Sequence, residues 1–210
     1  MMVIRKFLFV FLILKIKIVK NITLIDLNFR KNDFTNYDHI KSFIFKKNFY
    51  KIKNKNIHSF DFLNFSNKLG GNIGINLAKE TIFSWYKINK NKLNFPWIED
   101  LSSKRLINLL YNYEYINSSS KLIDKKKLDK IIFIHMQRVQ FDFNTKKINE
   151  ISSFDIVSFL LSSLILKKFN TNKIHYIKFI AENQIDKLGM HKSYNILEHS
   201  KFINNLNEVK

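Results

Sequence analysis

The chain has 210 residues, the length of one domain, and its 46% hydrophobic and 15% aromatic content supplies a core, which speaks against global disorder. Four glycines and the single Pro96 are too few for the many turns of a sandwich or barrel, so an all-β fold is disfavoured. The absence of cysteine excludes disulfides, thiolate zinc sites and cysteine nucleophiles, and leaves the redox compartment open.

The net charge of +19 points first to nucleic acid. Among the 36 basic residues, however, only Arg5, Arg30, Arg105 and Arg138 are arginine, the side chain whose fork matches phosphate and guanine. Lysine, asparagine, isoleucine and phenylalanine abound while Ala78 and Ala181 are the only alanines, the pattern of an A+T-rich genome. The expectation is no nucleic-acid partner, but a surface that attracts anions, acidic polysaccharides included. A basic nucleic-acid-binding helical protein remains a third reading, marked by steeply salt-dependent binding to duplex DNA.

Residues 1–25 form an apolar and basic N-terminal segment. Arg5-Lys6 precede the apolar run Phe7 to Leu14, far short of the ~20 residues that span a bilayer. No small-x-small cleavage site follows. A packed edge segment and a signal or anchor are both open, and no stable membrane span is expected. Residues 26–69 are polar and aromatic without regular period, with Asn32, Asp33 and Asn36 as turn residues. They read as an irregular or short-strand segment lying on a helical body.

Residues 70–210 read as that body. Ile75, Ala78, Ile82 and Trp85 share a helical face. After Pro96-Trp97, Ser102 or Ser103 caps a helix with Leu106, Leu109, Leu110 and Tyr113 on one side. Leu128, Ile131, Ile132, His135 and Val139 mark the next, and Phe141 to Glu150 reads as a polar connector. Ser152 to Phe169 is apolar nearly all round, as in a helix buried on several sides. Ile174, Ile177, Ala181 and Leu188 carry a helix to Gly189; Ile196, His199, Ile203 and Leu206 carry the last. Short loops between such patterns imply antiparallel αα-hairpins, a mostly α class.

The polar cluster between the last two patterns holds the candidate site. Gly189 suits a left-handed helix end, and Ser193 or Asn195 suits the next N-cap. His191 reads either as a surface or capping histidine or as a substrate contact, and Asn195 either as a cap or as a carboxylate neutraliser. Tyr194 would need cations such as Lys187 and Lys192 to act as a base, because an ordinary phenol ionises near ~10. His135 and His199 fall on apolar faces and read as core residues; His39, His58 and His175 lack metal-ligand spacing, so no metal and no cofactor is expected. Gly70-Gly71-x-x-Gly74 lacks the Lys-Ser/Thr of a phosphate loop.

Residues Gln184-Ile185-Asp186-Lys187-Leu188-Gly189-Met190-His191-Lys192-Ser193-Tyr194-Asn195 resemble the Gln-Ile-Leu-Pro-Asp-Gly-Gly-His-x-Ser-Arg-Asn-Pro signature of bacterial heparinase II/III-like proteins. Gln184, Ile185, Gly189, His191, Ser193 and Asn195 keep its register. Upstream, Phe60-Asp61-Phe62-Leu63, then Trp85, Trp97, Asp100-Leu101-Ser102 and Arg105-Leu106, resemble that family's Phe-x-Trp-Leu and Trp…Trp-x-x-Asp-Leu-Ser-x-x-Arg-Leu segments. Leu188, Met190, Tyr194 and Ile196 depart from the signature.

The resemblance implies that the αα-hairpins form part of an (α/α) toroid, with the short irregular or β segment before it. It implies a polysaccharide lyase acting by β-elimination on a uronate-containing acidic polysaccharide. His191, Asn195 and Tyr194 would be catalytic; Gln184, Ser193, Trp85, Trp97, Arg105 and Lys192 would bind substrate. The family's β-sandwich is expected to be missing or supplied by a downstream chain. A periplasmic or cell-envelope location is favoured over the cytoplasm. The alternative is a non-catalytic helical binding or assembly module.

Overall fold

The computed structural model describes residues 55–91, 95–97, 100–167, 171–188, 191–192, 200 and 203. The N-terminal segment, most of the stretch 26–69 and the last expected helix, Ser200 and Ile203 apart, lie outside the described residues. Helix covers 79% of what is described, with no strand among those residues, so the chain is mostly α. Two compact units divide within one helix, the first ending at His135 and the second starting at Met136.

In the first unit, α1 (Lys55–His58), α2 (Phe62–Leu69) and α3 (Gly71–Asn89) follow in close succession. The expected strand-like character therefore does not hold at 55–69. The aromatic period is irregular there because nearly every apolar side chain is used: Ile57, Phe60, Phe62, Leu63 and Phe65 are all buried. Phe60 adopts the left-handed backbone between α1 and α2, a costly conformation for a bulky residue. Complete burial of its ring holds it there.

The glycine run is a corner. Gly70 takes a positive φ between α2 and α3 and returns its N–H to the Ser66 and Asn67 carbonyls, which ends α2. One turn into α3, Gly74 sits where a β-carbon would lie 2.2 Å from both the Ser66 carbonyl oxygen and the Tyr115 hydroxyl. That hydroxyl donates to the same Ser66 carbonyl at 2.5 Å. The missing side chain lets α2 and α5 close on α3.

Next come α4 (Leu101–Tyr111), α5 (Tyr113–Asn117) and the long α6 (Leu122–Thr145). The face Ile75, Ala78, Ile82 and Trp85 is buried, as are Leu106, Leu109, Leu110 and Tyr113. Ser102 and Ser103 are not caps: α4 begins after Asp100, and both serines are buried within it. α6 runs on through Phe141 to Thr145, so the expected connector shrinks to a few residues and the 3-10 turn Ile148–Glu150. Phe143, 1% exposed, gives that extra turn a buried face and keeps it helical.

In the second unit, the end of α6 packs with α7 (Ser153–Ile165), and Phe143 stacks on Phe159 at 3.9 Å. Ser152 caps α7 in a box with Asp155, which also takes Lys146 at 2.5 Å. Gln140 Nε2 donates to the Ser162 and Ser163 hydroxyls of α7 at 2.6 and 2.8 Å. α8 (Thr171–Gln184) buries Ile177 and Ile180. It ends at Gln184, not at Gly189, and Leu188 lies off it, 87% exposed.

Two outcomes test these contacts. Gly74→Ala should lower unfolding stability by about 1–3 kcal/mol through overpacking, measured by urea denaturation; an unchanged midpoint would mean the crossing has slack. Burial pushes the Tyr86 phenol on α3 up to about 12, against ~10 in an unfolded chain. Below pH ~10 its contribution is fully present; above it the unfolded state ionises first, so stability falls towards pH 12. Thermal melts across that range should decline more steeply for the native chain than for Tyr86→Phe.

Candidate functional site

Two clusters contain the described candidate residues, one in each unit. In the first, Arg105 on α4 is fully buried, with its guanidinium carbon 4.1 Å from the Trp85 ring centre and 4.6 Å from that of Trp97. A desolvated cation against two indole faces gains about 2 kcal/mol or more per favourable stack. Its Nε donates to His135 Nε2 at 2.7 Å, and Nη1 donates to the His58 carbonyl and, at 3.5 Å, to that of Pro96.

The histidines complete the cage in defined tautomers. His135 accepts from Arg105 on Nε2, so its Nδ1, 2.8 Å from the Ile131 carbonyl, carries the proton. His58 Nδ1 accepts from Trp85 Nε1 at 2.8 Å. Trp97 donates to the Asn89 carbonyl at 2.8 Å and stacks on His135 at 5.0 Å. Phe60 meets Trp85 edge-on at 5.1 Å.

The same face of α4 continues as a polar ladder. Asn108 Nδ2 donates to the Ser59 carbonyl and to Asp61, each at 2.9 Å. One turn on, Asn112 Nδ2 donates to Asn64 and its oxygen accepts from Asn67, each at 3.2 Å. Arg105, Asn108 and Asn112 thus bind α4 to the backbone and side chains of residues 58–67. Of the three, only Arg105 is a site candidate in the sequence; Asn108 and Asn112 are not, although the spacing i, i+3, i+7 is a legible stripe.

Phe60, Trp85, Trp97 and Arg105, which carry the upstream resemblance, therefore converge. They converge as core: Trp85 is 0% and Trp97 2% exposed. The substrate-binding role expected of Trp85, Trp97 and Arg105 has no exposed face to act through.

The second cluster is the turn after α8. Gln184 Nε2 donates to the Ile151 carbonyl, tying the end of α8 to the residue before the α7 cap. Ile185 and His191 pair as an isolated antiparallel bridge, and Lys192 N–H donates to the Gln184 carbonyl at 2.9 Å. Asp186 accepts from the Leu188 N–H at 2.9 Å, an Asx turn that competes with further helix and explains why α8 stops early. His191 is half-buried, while Lys187 and Lys192 are exposed. Gln184, His191 and Lys192 are thus brought together; Ser193, Tyr194 and Asn195 lie outside the described residues.

Among the described residues no three His, Asp or Glu side chains converge as metal ligands, and no helix is long and apolar enough to cross a membrane. In comparisons with known proteins, no family profile, curated protein or solved structure matches the chain.

The buried cage yields a direct test. Arg105→Lys keeps the charge but loses the planar fork and the Nε–H to His135. It should destabilise the chain by about 3–5 kcal/mol, the range for breaking a buried charged network. Calorimetry would read this as a large fall in Tm; a shift within error would mean the stacking is dispensable.

Proposed function

We propose that the chain is a helical domain of the heparinase II/III-like type that acts on acidic polysaccharide through the turn at Gln184–Lys192, within a toroid of αα-hairpins. The observation that carries this reading is the short bridge at Ile185 and His191, which fixes the half-buried His191 in the turn that carries the exposed Lys187 and Lys192. The resemblance of residues 184–195 supports it, as does the net charge of +19.

In β-elimination a base removes the C5 proton of a uronate, the C4–oxygen bond breaks, a double bond forms between C4 and C5, and the leaving oxygen takes a proton. His191 would remove the C5 proton. Asn195 would neutralise the uronate carboxylate, and Tyr194 would return a proton to the leaving oxygen. Lys187 and Lys192 would hold the polyanion and offset the charge that develops as C5 is deprotonated. Gln184 and Ser193 would fix the turn.

One observation favours the second reading, a non-catalytic binding or assembly module. Trp85, Trp97 and Arg105 are consumed by the core, so binding would rest on surface lysines and the turn alone.

The two readings separate by experiment. With a uronate-containing polysaccharide, the catalytic reading predicts growth of the ultraviolet absorbance of an unsaturated uronate. His191→Ala should reduce it by about a hundredfold or more, the scale of a lost general base. Binding without any such absorbance, from the chain alone or with a β-sandwich partner, would support the module. No binding by either protein would remove both readings.

A further inference from the structure

One end of the first unit presents aliphatic side chains to solvent. Asn72 Oδ1 accepts from the Ser119 hydroxyl at 3.4 Å, joining the start of α3 to the loop before α6. Within four residues of one side or the other of this contact lie Leu69, Ile73, Leu122 and Ile123, exposed by 45, 80, 67 and 68%. Four residues of chain reach about 14 Å at most, so all four lie near the Asn72–Ser119 contact. Lys127 from α6 lies 5.6 Å over the Phe83 ring of α3, which keeps the two helices side by side beyond it.

The surrounding charge is predominantly positive. No acidic residue occurs between 66 and 79, where Lys68 and Lys79 lie. Between 115 and 128 the only acid is Asp124, 3.9 Å from Lys127, while Lys121, Lys125 and Lys126 add further positive charge.

We propose that this end docks on an anionic lipid surface, with Ile73, Leu122 and Ile123 entering the headgroup boundary and the lysines meeting lipid phosphates. The charge pattern selects this occupant. A second copy would bring a like-charged lysine rim against this one. A soluble polyanion would satisfy the lysines but leave the aliphatics in water. An anionic bilayer offers both an apolar layer and a negative plane. The docking is peripheral and independent of the polysaccharide reading.

The test is flotation of the full chain with phosphatidylcholine vesicles, with and without phosphatidylglycerol. Docking predicts at least about tenfold more bound protein on the anionic vesicles, since each lysine near such a surface contributes to attraction. The triple variant Ile73→Ser, Leu122→Ser, Ile123→Ser should lose about tenfold of that binding with an unchanged Tm, because the residues are exposed. Should the triple variant fail to fold, Ile73→Ser alone gives the same readout in smaller measure. Equal binding to both vesicle types, or full retention by the variants, overturns the proposal. So does a dimer in light scattering that the substitutions dissociate, which would assign the patch to a second copy.

Discussion

A guanidinium removed from water must recover its hydration from fixed partners, and the first unit is arranged around doing so for Arg105. Two indole faces, the His135 ring nitrogen and the His58 carbonyl take the place of solvent. Each partner belongs to a different stretch: α1, α3, the loop at Trp97 and α6. Satisfying one cation therefore sets the relative positions of all of them. The cost of missing any partner is that of an unpaired buried charge, which makes the arrangement specific as well as stable.

The ladder below Arg105 extends this logic with neutral groups. Asn108 and Asn112 satisfy backbone and side-chain groups of residues 59–67, among them the buried Ser59 and Asn64. Phe60 in its left-handed conformation turns the chain so that the His58 and Ser59 carbonyls face α4. Gly74 completes the packing from the other side by its lack of a side chain. Residues that looked separate in the chain, an aromatic doublet, a glycine run and an arginine, serve one packing problem.

The second unit uses a different economy. Its core centres on Phe143 stacked on Phe159, with Gln140 and two serines as a buried polar contact between helices, while Lys146 with Asp155 and Gln184 with Ile151 tie helix ends. The turn after α8 is thus anchored through its first residue, while its lysines stay in water. His191 is half-buried on the short bridge, and Lys187 and Lys192 of the same turn are exposed.

Helix content and the buried faces were legible in the sequence because helical period is a local property: Ile75, Ala78, Ile82 and Trp85 announce their face by spacing alone. The helices at 55–69 were not, because they are short and bury apolar side chains at Ile57, Phe60, Phe62, Leu63 and Phe65 without a regular period. The end of α8 was not, because the Asx turn at Asp186 outweighs the continuing apolar pattern. The fate of Trp85, Trp97 and Arg105 was beyond local reading altogether. An aromatic and a cation suit a sugar cleft and a protein core equally well, and only the packing of distant segments decides which side of the surface they occupy.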